Sequence, residues 1–144
     1  MHVSAILKNK GATIITTRPE ENVASVAHIL HANRIGAILV LGGDGHIAGI
    51  LSERDIVRGM ALHGASVLDK PVSALMTAKV VACTPTDTVA SVMSRMTEGR
   101  FRHMPVVENG KLVGVISIGD VVKFRLAEYT HEVESLRDYV AGRG

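Results

Sequence analysis

The sequence predicts a mixed α+β (α/β) fold made of two β-α-β-β-α units related by a pseudo-twofold axis. Three observations lead to this prediction: an internal repeat, the same order of helical and strand-like patterns in each copy, and an aliphatic composition that can fill a core. The chain has 144 residues and is 47% hydrophobic, which is enough for one domain of ordinary size. RPEENVASVAHILHANRIGAILVL (18–41) aligns with TPTDTVASVMSRMTEGRFRHMPVV (84–107), and DGHIAGILSERDIV (44–57) aligns with NGKLVGVISIGDVV (109–122). The two copies lie about 65 residues apart and make up most of the chain, and such an internal repeat decides the organisation of the fold.

Each copy predicts a short strand, an amphipathic helix, a pair of strands joined by a turn, and a second helix. A single unit of this kind leaves one apolar face of its sheet uncovered, so we expect the two copies to cover each other. The predicted elements are first strands at 12–16 and 80–83, helices starting near Val23 and Val89, strand pairs AILVL with IAGIL and MPVV with LVGVI, and final helices from Glu53 to about Leu62 and from Ile118 to about Tyr139.

Composition makes several classes of protein improbable. Aromatic residues are only 3% of the chain and the net charge is +2, so we expect no nucleic-acid partner. No stretch is long and apolar enough for a membrane span, and the N-terminus lacks the apolar segment of a signal peptide. A cytoplasmic protein without a membrane partner is therefore expected. The single cysteine, Cys83, excludes an internal disulfide and is interpreted as a small buried apolar residue.

The most informative motif closes each copy, as GILSERD in the first and GVISIGD in the second. Ser52 with Asp55, and Ser117 with Asp120, have the spacing of a helix capping box, which needs no further function. The alternative is a nucleotide site. A helix N-terminus suits a phosphate, and a carboxylate can accept hydrogen bonds from the hydroxyls of a ribose. Basic residues that could share a cleft with these motifs favour the alternative; they are Lys10, Arg54, Arg100, Arg102 and His103.

These residues carry a family resemblance. The doubled motif, the run IGAILV and the segment RFRHMPVV resemble a pair of CBS domains, the Bateman module, over about residues 3 to 125. The likeness is greatest to small stand-alone bacterial pairs with the segments SERD, RFRHxPV and SIGDVVK. It implies a tandem CBS-domain pair that binds AMP, ADP or ATP, or in some members NAD(H) or S-adenosylmethionine, between the repeats as a regulatory ligand. It also implies a homodimer and a regulated partner protein that the sequence does not name.

The resemblance also implies a ligand site, position by position. Asp55 and Asp120 match the ribose-binding aspartates, and Ser52 and Ser117 match serines near the phosphate. The segments that hold the adenine edge match Lys10 with Ala12, which we pair with Asp120, and Thr77 to Lys79, which we pair with Asp55. The full predicted set is Lys10, Ala12, Ile35, Gly36, Ala37, Ser52, Arg54, Asp55, Thr77, Lys79, Arg100, Arg102, His103, Met104, Pro105, Ser117 and Asp120.

The two sites are expected to be unequal, because Gly36 and Ala37 stand where the second copy has Arg102 and His103, and Arg54 stands opposite Gly119. The predicted boundaries are 1–66 for the first CBS domain with the N-terminal segment, 67–125 for the second, and 126–144 for a C-terminal helical extension. That extension has apolar residues near 3.5 spacing, and either packs on its own domain or extends a dimer interface.

No catalytic residues, catalytic cofactor or metal site are predicted. His28 and His31 lie three residues apart on a predicted helix, but no third metal ligand accompanies them. The chain contains no nucleophile motif and no paired carboxylates of the kind that hydrolysis needs. Two alternatives to a nucleotide-binding regulatory module stay open. One is an enzyme that acts on nucleotides, such as a phosphohydrolase, and the other is a structural interaction module that binds no ligand.

Overall fold

The computed structural model describes residues 1–11 and 14–142, and the chain divides into two compact units. One unit is Ile14–Val81. The other joins the N-terminal segment to the chain from Ala82 onward. Each unit contains one copy of the repeat, with its own core and its own Ser–Asp motif.

The unit Ile14–Val81 is a three-stranded sheet with helices. Strand β1 (Thr16–Thr17) runs parallel to β2 (Ala37–Leu41), and β2 pairs antiparallel with β3 (Ile47–Ser52). Helix α2 (Val23–Asn33) precedes β2 and helix α3 (Glu53–His63) follows β3. Two short 3-10 helices, Ala65–Asp69 and Val72–Ala74, complete the unit. Its core is a set of buried aliphatic side chains: Val23, Val26, Leu30, Ile38, Val40, Leu51, Ile56 and Val72.

The other unit has the corresponding elements around a two-stranded sheet. Helix α1 (Val3–Lys10) comes from the N-terminal segment, followed after Ala82 by α4 (Val89–Gly99), β4 (His103–Glu108), β5 (Lys111–Ser117) and the long α5 (Ile118–Val140). Its core is also mainly aliphatic but includes one cysteine and two methionines. The buried residues are Val3, Ile6, Cys83, Val89, Val92, Met96, Met104, Val106, Ile116 and Val121. Few aromatic rings are needed because branched aliphatic and methionine side chains fill both cores.

Most predicted elements are confirmed, but the predicted first strand of the second copy, at 80–83, is wrong. Only Cys83 pairs with β4, through a parallel bridge to Val106. Cys83 donates its backbone N–H to the Pro105 carbonyl at 3.0 Å, and Val107 donates to the Cys83 carbonyl at 2.8 Å. The next hydrogen bond of a parallel ladder would be donated by residue 105 to the carbonyl of Val81. Proline has no N–H, so the strand stops at one residue.

In the first copy the corresponding strand is shorter than the predicted 12–16. Thr16 and Thr17 pair with Leu39 and Val40, whereas Ala12, with residue 13, lies outside the described residues. Leu39 occupies the position of Pro105 and has an N–H to donate, which allows a paired strand of two residues here.

The N-terminal segment packs with the second copy of the repeat, whereas the sequence boundary of 1–66 grouped it with the first copy. Val3 and Ile6 are buried in the core of the second copy, and Val3 donates its backbone N–H to the Asp87 carbonyl at 2.9 Å. In the reciprocal arrangement, Val72 lies in the core of the first copy, and Thr77 and Ile50 exchange two backbone hydrogen bonds of 2.9 Å. Each repeat is thus completed by the segment that precedes the other repeat's first strand. Periodicity within one segment carries no information about this exchange.

Candidate functional site

The first Ser–Asp motif forms a complete capping box at the start of α3. Ser52 Oγ accepts a hydrogen bond from the Asp55 backbone N–H at 3.2 Å, and Asp55 Oδ2 accepts one from the Ser52 backbone N–H at 2.9 Å. Ser52 Oγ also donates to Asp55 Oδ2 at 3.0 Å. The Asp55 side chain is only 10% exposed, and Arg58 lies 3.7 Å from its Oδ1. The structural role predicted from the spacing is therefore confirmed.

The second motif forms the same capping box at the start of α5. Ser117 Oγ accepts from the Asp120 backbone N–H at 3.1 Å, and Asp120 Oδ2 accepts from the Ser117 backbone N–H at 2.8 Å. The Asp120 side chain is 27% exposed, more than that of Asp55. The two boxes share the reciprocal bonds between serine and aspartate, and their surroundings differ in the charged groups nearby.

Lys10 is the neighbour that distinguishes the second motif. Its ammonium group lies 2.7 Å from Asp120 Oδ2 and donates a second hydrogen bond of 2.9 Å to the Val115 carbonyl. Partial burial acts to raise the pKa of Asp120. The hydrogen bond from Lys10, the bonds from Ser117 and the positive charge of Lys10 outweigh it, so this pKa lies below that of an ordinary aspartate. Asp120 is therefore an anion at neutral pH.

One backbone hydrogen bond joins the start of each helix to the residue that precedes the adjacent strand. Glu53 donates to the Gly36 carbonyl at 2.9 Å, and Ile118 donates to the Arg102 carbonyl at 2.7 Å. Ala37 pairs with Ser52, and His103 pairs with Ser117. These contacts hold the entrance of β2 or β4 against the first turn of the following helix, and the basic residues of RFRH lie there in the second copy.

The other predicted site residues have varied surroundings. Met104 is fully buried in a hydrophobic core and Ile35 packs at the edge of one, so their side chains serve packing. Pro105 is buried and its carbonyl accepts from Cys83. The backbone of Thr77 is bonded to Ile50. Besides Lys10, four basic predicted site residues are exposed: Arg54, Lys79, Arg100 and Arg102. The predicted site residue Ala12 lies outside the described residues.

Sequence reasoning missed two contributors to the motifs. Arg58 lies one helical turn after Asp55, a spacing at which opposite charges on a helix commonly meet, so the sequence contained this signal. The Val115 carbonyl binds Lys10 across 105 residues of chain, and no local pattern announces a contact of that kind. Cys83 is buried as expected, and this burial raises the pKa of its thiol to about 11.

The comparisons agree with this duplicated architecture. A sequence model of the CBS domain matches the chain twice, over residues 10–62 and 72–127. The chain belongs to the CBS-domain family. Each matched segment contains its own Ser–Asp capping box.

Solved CBS-domain structures share this fold. A CBS-domain containing protein from Agrobacterium tumefaciens is 47% identical with a TM-score of 0.83, over 86% of this chain and 92% of that one. A CBS domain protein from Pyrobaculum aerophilum, solved in complex with AMP, is 29% identical with a TM-score of 0.74, over 83% and 89%. The tandem CBS fold predicted from the sequence is therefore confirmed.

A curated relative extends the comparison to a plant. The mitochondrial CBS domain-containing protein CBSX3 of Arabidopsis thaliana is 30% identical over 97% of this chain and 72% of its own length. Within residues 1–11 and 14–142, no cluster of His, Cys, Asp or Glu side chains could hold a metal ion. None of the helices described is both long and apolar enough to cross a membrane.

Proposed function

We propose that this CBS-domain protein is a non-catalytic regulatory module that binds an adenine nucleotide at its Ser–Asp motifs and transmits the binding to a partner protein. AMP is the ligand proposed first, with ADP, ATP and NAD(H) as the other candidates. The observation that carries the proposal is the Asp120 carboxylate, held as an anion at the start of α5 by Ser117 and Lys10. The location of the ligand between the two repeats stays a sequence-based prediction.

A carboxylate in this setting suits a ribose. The hydrogen bonds from Ser117 and Lys10 both end on Oδ2, so Oδ1 can accept from a ligand hydroxyl while the cap stays intact. A hydrogen bond to an ionised acceptor is stronger than one between neutral groups. The anchored aspartate also needs little reorganisation on binding, which lowers the entropic cost of association.

Positively charged groups near each motif would bind the phosphate, while the aspartate binds the ribose. The motif serines cap the N-termini of α3 and α5, and a helix N-terminus carries a partial positive charge that favours an anion. Exposed Arg102 immediately precedes β4, whose first residue pairs with Ser117. Arg54 lies in the first turn of α3. These positive groups can balance a phosphate close to the aspartate that would bind the sugar.

The family supplies the ligand class. The Pyrobaculum aerophilum relative was solved with AMP bound, and its similarity to this chain spans most of both proteins. AMP contains the two groups for which the motifs are suited, a ribose with vicinal hydroxyls and a phosphate. It is therefore the first ligand to test.

The deciding experiment is calorimetric titration of the protein with AMP, ADP, ATP and NADH. We expect AMP to bind, and Asp120→Asn to weaken one site by about tenfold or more, because a hydrogen bond to a charged acceptor is lost. Asparagine keeps an oxygen that can accept from the Ser117 backbone, so the cap can persist. Asp138→Asn, an exposed change on α5, is the matched control and should leave the affinity unchanged.

Two outcomes would overturn the proposal. The absence of heat of binding with all four nucleotides would remove the nucleotide claim. Release of phosphate from ATP in the presence of Mg²⁺, abolished in Asp120→Asn, would make the protein an enzyme. Circular dichroism of each variant verifies that a loss of binding is not a loss of fold.

A further inference from the structure

Helix α5 has an exposed apolar stripe along most of its length. The stripe consists of six residues: Val122, Leu126, Tyr129, Val133, Leu136 and Val140. Leu126, Tyr129 and Leu136 are 61%, 66% and 64% exposed, although each is a large side chain. Within the described chain this row of side chains does not belong to either hydrophobic core. Burying such a continuous stripe against another surface would remove much apolar area from water.

The same helix packs on its own unit through other side chains. Val121 is buried in the core, and Phe124 packs against it. At 3.6 residues per turn, Phe124 lies about 160° around the helix from the middle of the stripe. Helix α5 is therefore anchored on one side and presents the stripe on the other. The sequence left open whether these residues pack on their own domain, and their exposure answers that they do not.

The spacing of the stripe identifies its geometry. Its members follow one another at intervals of four, three, four, three and four residues, which is the a/d pattern of a heptad repeat. Leu126, Val133 and Val140 take the a positions, and Val122, Tyr129 and Leu136 take the d positions. A repeat with a period of 3.5 residues keeps its seam facing a partner helix that has the same period.

We infer that this stripe is the seam of a parallel two-stranded coiled coil formed with α5 of a second copy of the chain. In a parallel homodimer each a or d residue meets its own counterpart, so one stripe is complementary to itself. Two β-branched residues at a positions favour a two-stranded coil. This assembly does not depend on whether the proposed nucleotide binds.

The charges beside the seam favour the parallel orientation. In that orientation Glu132, at a g position, faces Arg137 of the second copy, at the following e position, and the pair occurs twice. An antiparallel coil that keeps the apolar residues in register brings Glu132 against Glu132 of the second copy and Lys123 against Arg137 of the second copy. Attraction in one arrangement and repulsion in the other select the orientation.

The first test measures self-association of the full chain by sedimentation over a range of concentrations. We expect a dimer whose dissociation constant rises about 100-fold or more in Leu126→Glu with Val133→Glu, because charges would have to be buried in the seam. Ala127→Glu, an exposed change beside the seam, is the matched control and should leave association unchanged. A monomeric wild type, or a double variant that associates as tightly as the wild type, overturns the inference.

The second test reads the orientation. Leu136→Cys should form a disulfide-linked dimer under mild oxidation, because a parallel coil places the two cysteines side by side. An antiparallel coil separates them by ten residues of helix, about 15 Å, which is beyond disulfide reach. The wild type, whose Cys83 is buried, is the control. A dimer that fails to cross-link through position 136 overturns the parallel arrangement.

Discussion

At the residue scale, two aspartates with the same local sequence context have different ionic partners. Asp120 binds Lys10, which is 110 residues away in the chain, at 2.7 Å. Asp55 lies 3.7 Å from Arg58 on its own helix. The prediction of unequal sites thus has a physical basis in these neighbours, and their ligand affinities stay to be measured.

Replacement of Lys10 by methionine should raise the pKa of Asp120. The hydrogen bond and the positive charge that oppose its partial burial would both be lost. We expect a loss of unfolding free energy of only about 0.5 kcal/mol at pH 7, since exposed ion pairs contribute little. NMR titration of the Asp120 carboxyl and urea unfolding measure the two effects.

The sign of the pH dependence follows from the lowered pKa. A carboxyl whose pKa is lower in the folded state stabilises the fold above its unfolded pKa, and this contribution disappears as the pH falls through the folded pKa. The difference between wild type and Lys10→Met should therefore shrink on acidification below about pH 4. Lys8→Met, on the same helix, is the control. A constant difference down to pH 2 would contradict the assigned partner.

At the element scale, two equivalent glycines allow a flanking segment to lie against the last strand of each sheet. A Cβ on Gly114 would come 2.5 Å from Leu7 Cδ2 of α1. A Cβ on Gly49 would come 2.7 Å from the Thr77 carbonyl oxygen. The first obstacle is the end of a flexible side chain, whereas the second is backbone that is hydrogen-bonded to Ile50. The same residue type therefore serves unequal contacts in the two repeats.

Alanine should be more destabilising at Gly49 than at Gly114. Overpacking of a well-filled site costs about 1–3 kcal/mol, and we expect Gly49→Ala at the upper end because backbone must move. Gly43→Ala is the control, since no atom lies within 4 Å of an added Cβ there. Denaturant unfolding of the three variants measures the order. Equal losses at positions 49 and 114 would show that the backbone at Thr77 adjusts as easily as the Leu7 side chain.

At the scale of the whole molecule, one compact unit combines the N-terminal segment with the chain from Ala82 onward, whereas the other is the continuous stretch Ile14–Val81. Ile6 comes from the start of the chain and is buried with the second copy of the repeat. Val72 follows the first copy along the chain and completes that copy's core. The sequence boundary of 1–66 for the first domain stays a prediction, but α1 contributes its buried side chains to the other unit.

Ile6→Ala and Val72→Ala should destabilise different units. Each removes buried methyl groups, at a cost of about 2–4 kcal/mol for isoleucine and less for valine. Hydrogen exchange followed by mass spectrometry should show faster exchange for Ile6→Ala in β4, β5 and α4. For Val72→Ala the faster exchange is expected in β2, β3 and α2. The same exchange pattern in both variants would mean that the units unfold together and would contradict separate local stability.

The sequence alone predicted much of the fold and the local structure of the candidate site. Helices α2 to α5 and both capping boxes follow from short-range rules of periodicity and side-chain hydrogen bonding. The internal repeat predicted two equivalent units, and the family resemblance predicted that Lys10 lies near Asp120. The prediction of a strand at 80–83 was wrong, because an apolar run also needs a backbone N–H donor on the neighbouring strand, and Pro105 has no N–H.

What the sequence by itself determined is the duplicated architecture and the residue types at each motif, because both are encoded in spacing along the chain. Only the tertiary structure decided which repeat the N-terminal helix completes, how Lys10 is shared between Asp120 and the Val115 carbonyl, and which side of α5 stays exposed. Each of these depends on contacts between residues far apart in sequence. Such contacts are stabilised by burial and by charge only when distant segments come together in the folded chain, so no local sequence pattern predicts them.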